Sequence, residues 1–245
     1  MINFDELGPR IIFSIADGKI LISESTVLGL LIAAVLAAAG IWLGSGLKTV
    51  PKGKQIIAEA IVDWIYRYTR ENMGEENEHF APYIGSVFAF ILCGSAMGLI
   101  GARPITADLN VTFALSGMTY ILIQYNSLCK LGVRGRLHEM CDPYPFMFPL
   151  KILEDITLPV SMGMRLFGNI LGGMIVVELW MQLMEYLSGF LTEVPFLRAV
   201  TVLPLNGFFD MFEPVVQTYI FTMLTMVFLQ SAMTGAAEAV NRAKE

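Results

Sequence analysis

The chain has 245 residues, 55% of them apolar and only 16% charged, with a formal net charge of -6. Those proportions exclude an ordinary soluble globular domain, in which about a quarter of the residues are charged, and they read as a polytopic membrane protein whose first partner is the lipid bilayer. The negative net charge and the lack of any long Lys/Arg run exclude nucleic-acid binding, which needs a basic footprint.

The three cysteines, Cys93, Cys129 and Cys141, are few and odd in number, so no disulfide framework is implied. The opening MINFDELGPR is acidic and no cleavage pattern follows it, so the mature chain is expected to begin near Met1. Residues 1–24 form an outer N-terminal segment; the apolar run at 11–15 is too short to span a bilayer. Residues 25–47 hold 23 uncharged positions, roughly 34 Å as a helix, which is enough for one crossing. Lys48, Lys52 and Lys54 follow, and Pro51 is suited to open the next helix because it gives up an N–H that has no partner there. That helix, predicted over 51–72, places Ile57, Ile61, Trp64 and Tyr68 on one side and Glu59, Asp63, Arg67 and Arg70 on the other. This is the pattern of an amphipathic helix lying in the membrane interface.

Further crossings are predicted over 81–102 and 108–130, with a basic cytoplasmic loop over 131–150. In that loop His138, Glu139, Cys141 and Asp142 lack the ligand count and spacing of a zinc motif, so no metal and no cofactor are expected. The last two stretches, 151–186 and 196–238, are too long for perpendicular crossings and are predicted to form a strongly tilted hairpin. The fold class is therefore all-α, with five membrane-crossing helices plus one interfacial helix.

The hairpin holds the charges that apolar surroundings make expensive. Nine uncharged residues precede Arg165 and twelve follow it before Glu178. An arginine at mid-bilayer costs roughly 2.5–3.5 kcal/mol on insertion scales, so it marks a functional site by default. Asp210, Glu213 and Gln217, at i, i+3 and i+7, share one helical face that should meet protein or water.

Five crossings collect Lys48, Lys52, Lys54, Arg67, Arg70, Lys130, Arg134, Arg136, Lys151, Arg242 and Lys244 on one side and Arg10, Lys19, Arg103 and Arg198 on the other. The positive-inside rule then puts the C-terminus in the cytoplasm and the N-terminus outside. The one Lys or Arg belonging to neither set is Arg165.

The run Pro159-Val-Ser161-Met-Gly-Met-Arg165-Leu-Phe-Gly-Asn169 resembles the P-x-S-x-x-x-R-L-F-G-N motif of the a subunit of F-type ATP synthases. Thr106-Ala-Asp108-Leu-Asn110-Val-Thr112 and the stretch from Gln217 to Thr225 are similar to two further stretches of that family, so the resemblance covers residues 20 to 237. It implies a non-catalytic stator subunit in a bacterial inner membrane, facing a ring of c subunits and held by the b subunits of the peripheral stalk and the remaining ATP synthase subunits. It also implies that Arg165 is the fixed charge at which each ring carboxylate gives up its ion, an opposite charge within about 4–6 Å lowering a carboxyl pKa by about 1–3 units. Gln217 is expected to face Arg165. The family's outer half-channel uses an ionisable residue nine positions after the arginine, here Met174, so Glu178 one turn on is expected to substitute, with Asp210 and Glu213 opposite.

Asn169 fits either channel lining or a bond to a neighbour, and Gly163, Gly168, Gly172 and Gly173 fit helix packing or the channel. Asp108 and Asn110 fit capping of the next helix. Ser161, Asp155 and Glu154 are candidates for the inner half-channel, and the last two equally suit the cytoplasmic loop. The alternative reading, a secondary ion transporter or channel subunit, predicts two related halves, and no repeat joins the two ends of the chain. No P-loop, HExxH or GxSxG occurs, so ATP chemistry is expected to belong to other subunits.

Overall fold

A computed structural model describes residues 11–15, 20–45, 48, 53–141, 146, 148–189 and 196–242; the expectations placed on Met1, Arg10, Lys19, Pro51, Lys52, Asp142 and Lys244 lie outside them. A short antiparallel hairpin, β1 (Ile11–Ile15) and β2 (Ile20–Ser23), leads into seven helices. These are α1 (Glu24–Gly44), α2 (Lys54–Met73), α3 (Ala81–Ser95), α4 (Leu109–Cys141), α5 (Phe148–Gly189), α6 (Phe196–Asn206) and α7 (Glu213–Arg242). Single 3-10 turns flank α3 and precede α4, and a π-turn, Gly207–Phe212, joins α6 to α7. The chain is an all-α polytopic membrane protein carrying one small N-terminal hairpin.

Local chemistry explains most boundaries. Ser23 caps α1 by accepting the Thr26 N–H at 3.3 Å and donates its own hydroxyl to Asp108 Oδ2 at 2.9 Å. Asp108 in turn accepts the Asn110 N–H at 3.0 Å, which makes it the cap of α4 and ties the start of α4 to the start of α1. Helix α2 is described from Lys54, after Gly53 at φ 59, a conformation that excludes most side chains. Ile57, Ile61 and Trp64 of α2 stand exposed while Tyr68, Thr69 and Met73 pack inward, so the helix keeps an exposed apolar face.

Two expectations change. Four described segments are long and apolar enough to cross a membrane, Glu24–Gly44, Glu75–Ile100, Phe148–Gly189 and Phe196–Met233, against five predicted. The segment missing from that set is α4, diluted by Thr112, Ser116, Thr119, Gln124 and Asn126. Helix α4 also continues to Cys141 through the segment expected to be a loop, with one break at Gly132 (φ 67, ψ 167). Glycine alone tolerates that angle cheaply, and Val133, Leu137 and Met140 resume a helical apolar spacing beyond it.

The core lies where α3, α4, α5 and α7 meet. Tyr68, Phe80, Ile84, Ile123, Met226 and Leu229 form one cluster, and Val87, Ile91, Met162, Leu166 and Phe221 a second. The bundle also buries hydroxyls: Thr112, Ser116 and Thr119 on α4, and Thr218, Thr222 and Thr225 on α7. All six of these hydroxyls bond a carbonyl three or four residues back on their own helix, which lets them lie inside a membrane bundle without an unmet bond. Tyr83 adds a cross-helix bond to Thr119 at 2.9 Å.

Candidate functional site

Helix α5 runs 42 residues, about 63 Å at 1.5 Å per residue, roughly twice the thickness of a bilayer of about 30 Å. Leu166, fully buried, and Met162, 2% exposed, fix its inner face. Arg165 consequently points outward and is exposed. No carboxylate among the described residues lies within ion-pair distance of it. A cleft of about 480 Å³ runs beside α5 from Leu150 past Glu154, Thr157 and Ser161 to Arg165, with Leu224 and Phe228 of α7 as its far wall. Glu154, Ser161 and Arg165 were legible in the sequence; Thr157 was not singled out, although its position at i+3 from Glu154 and i-4 from Ser161 was the available signal.

Asp155 does not line that cleft. It pairs with Arg136 at 3.2 Å, whereas Glu154 pairs with Lys151 at 3.4 Å near the cleft mouth. On the other flank of Arg165, Asn169 donates Nδ2–H to Gln217 Oε1 at 3.2 Å. Gln217 is 2% exposed and its Nε2 has no partner among the described residues. The structure thus joins Gln217 to Asn169, one turn beyond the arginine.

Asp210 and Glu213 reach the bundle through a backbone irregularity. Pro214 has no N–H, and its ring would clash with the carbonyl four residues back, that of Asp210. The π-turn relieves this: the Glu213 N–H bonds the Phe208 carbonyl, five residues back. Asp210 then rests over Gly98, where an added Cβ would lie 2.9 Å from Oδ1, and Glu213 over Gly173, where it would lie 3.0 Å from Oε2. Both carboxylates occupy space that glycine leaves open. Gly98 was not foreseen, because nothing local in the sequence links positions 98 and 210. Glu178 stands apart from this pair: it is exposed and accepts a hydrogen bond from Gln182 at 3.0 Å. Met174 is half-buried.

Among the described residues no three His, Cys, Asp or Glu side chains gather as metal ligands. The arrangement is that of an ion-handling membrane protein: one outward arginine with no carboxylate partner among the described residues, a largely apolar open cleft carrying Glu154, Thr157 and Ser161 on one side of it, and two housed carboxylates on the other.

Comparison with known proteins agrees with that class. The family model described as ATP synthase A chain matches residues 26–230. The chain is 32% identical over 213 residues to ATP synthase subunit a of Moorella thermoacetica, covering 86% of this chain and 91% of that one. It is 28% identical over 214 residues to the sodium ion specific ATP synthase subunit a of Propionigenium modestum, covering 80% and 68% respectively. With the subunit a of a Sulfurihydrogenibium species the identity is 29% over 192 residues, covering 76% and 86%. The chain belongs to the ATP synthase A chain family.

Proposed function

We propose that this chain is the non-catalytic stator of an Fo motor and that it couples ion flow to rotation of a ring of c subunits through Arg165. The observation that carries this reading is an arginine deep within a membrane helix, turned outward, with no carboxylate partner among the described residues. Such a charge is too costly to keep for packing alone. A passing ring carboxylate would supply its partner: close to the guanidinium the carboxyl favours its charged form and releases its ion. The same positive charge repels free cations and so blocks a direct leak between the two sides.

The cleft lined by Glu154, Thr157 and Ser161 serves as the inner access path, ending at Arg165. Asp210 and Glu213, over Gly98 and Gly173, serve the outer path. Glu178, exposed further along α5 and apart from that pair, is assigned to the same path, and the Asn169–Gln217 bond braces α5 against α7 between the two paths. Helix α4 acts as the fifth crossing: its buried hydroxyls meet α5 at Gly163 and α3 at Tyr83 instead of lipid, which puts the N-terminus outside and the C-terminus in the cytoplasm. The ring, the b subunits of the peripheral stalk and the other ATP synthase subunits complete the machine, which sits in a bacterial inner membrane. Each charge that crosses yields about 2.3 kcal/mol per 100 mV, delivered as torque.

The test is ATP-driven uptake into vesicles holding the assembled complex, wild type beside Arg165→Ala, followed with a pH dye and with radioactive sodium. Wild type is expected to accumulate one of the two ions, and the assembled variant neither. Normal pumping by the assembled variant would make Arg165 structural and overturn the mechanism.

A further inference from the structure

The break in α4 brings together residues that a straight helix would keep apart. Gln124 and Arg136 are 12 positions apart in the chain, about 18 Å along an uninterrupted helix at 1.5 Å per residue. Instead Arg136 Nη2 donates to Gln124 Oε1 at 3.2 Å, because at Gly132 the chain turns back on itself. The same nitrogen meets both Asp155 oxygens, at 3.2 and 3.4 Å. The Arg136 and Asp155 side chains are only 14% and 20% exposed, so this is a largely desolvated pair. Removing one partner of such a pair is far more disruptive than breaking a surface ion pair, because it leaves the other charge buried and uncompensated. Asp155 immediately follows Glu154, which lines the cleft mouth.

We infer that Arg136 is a positioning residue for ion entry from the cytoplasm. By clamping the part of α4 after Gly132 onto the part before it and onto α5 at once, it sets the width of the inner mouth and takes the Asp155 charge out of the ion path. Asp155 is thus the clamp's counter-charge, and Glu154 is the carboxylate that meets incoming ions. Loss of Arg136 leaves a half-buried carboxylate unpaired beside the mouth; it draws in water and opens the entrance.

The inference rests on reading the cleft as the inner access path, and the test separates the two. In the assembled complex with Cys93, Cys129 and Cys141 replaced by serine, Thr157→Cys is labelled by a membrane-impermeant thiol reagent added from the cytoplasmic face. Labelling in the otherwise unaltered chain supports the access path; its absence overturns that reading and the clamp with it. Arg136→Gln and Asp155→Asn are each expected to speed this labelling about fivefold. The charge exchange Arg136→Asp with Asp155→Arg is expected to return it to within about twofold. Rates unchanged or slowed in both single variants would overturn the clamp while leaving the path intact. Where a single variant fails to assemble, the exchange decides: recovery of assembly and of the original rate supports the clamp, and failure to recover overturns it. A second readout is ATP-driven uptake measured against ion concentration on each face, for protons and sodium in turn. The concentration dependence is expected to shift at least threefold on the cytoplasmic face and to stay unchanged on the outer face. Equal shifts on both faces would mark a general structural defect and overturn the role in entry.

Discussion

Helix α1 and the segment that ends in α7 are both apolar enough to cross a membrane, but they do opposite things with their apolar residues. Only 6% of the apolar stretch of α1 is buried, and Leu30, Leu31, Val35 and Ile41 are open to lipid. In the most apolar stretch of the second segment, Phe196–Met233, 44% is buried, and alongside Phe221, Met226 and Leu229 the buried residues include Gln217, Thr218, Thr222 and Thr225. Lipid tails are as apolar as leucine, so apolarity alone drives no helix inward. Close packing and internally met polar groups do that instead. Buried hydroxyls therefore mark the protein core here, and the greasiest helix marks its outside.

Substitutions in the two regions break or sharpen that contrast. The largest effect is expected at Gly163, where an added Cβ would lie 2.9 Å from Ser116 Oγ and 3.5 Å from the Thr112 carbonyl. The Ser116 hydroxyl can rotate aside, but the α4 backbone cannot. Gly163→Leu should thus cost about 3 kcal/mol by overpacking, displace Arg165 two residues on, and abolish ATP-driven uptake by the complex. Leu229→Ala, at a fully buried site, should cost about 2 kcal/mol, near the lower end for buried leucines because the lost burial is partly regained in lipid. Thr222→Val removes a hydroxyl that bonds the Thr218 carbonyl at 2.9 Å and meets the Tyr68 hydroxyl at 3.5 Å, and should cost about 0.6 kcal/mol. Leu31→Ala, at a site 56% exposed on α1, should stay within about 0.5 kcal/mol. Denaturant titration of the chain in bicelles checks the last three, and the contrast fails if Leu31→Ala costs as much as Leu229→Ala.

The charge pattern made Arg165 legible without any structure: one arginine in a long uncharged run has few physical explanations. Helical spacing likewise placed Asp210, Glu213 and Gln217 on one face. The partners of these groups were hidden. Gln217 was expected at Arg165, yet its bond goes to Asn169, 48 positions away. Asp155 was set beside Glu154 as a channel candidate, yet adjacent helical residues point about 100° apart, and Asp155 turns to Arg136. The count of crossings fell from five to four on apolarity because α4 carries polar residues, Thr112, Ser116 and Thr119 among them, whose burial a sum over residue types cannot distinguish from exposure.

By itself the sequence determined the solvent, the membrane-length segments, the isolated arginine and the family motif around it. Each of these depends on residues within a few helical turns, where spacing and composition act directly. Only the tertiary structure decided that Asp210 sits over Gly98, that Glu213 sits over Gly173, and that the chain turns at Gly132 to clamp Asp155. Those contacts join distant helices, and side-chain volume and close packing choose among many pairings that local pattern leaves equally open.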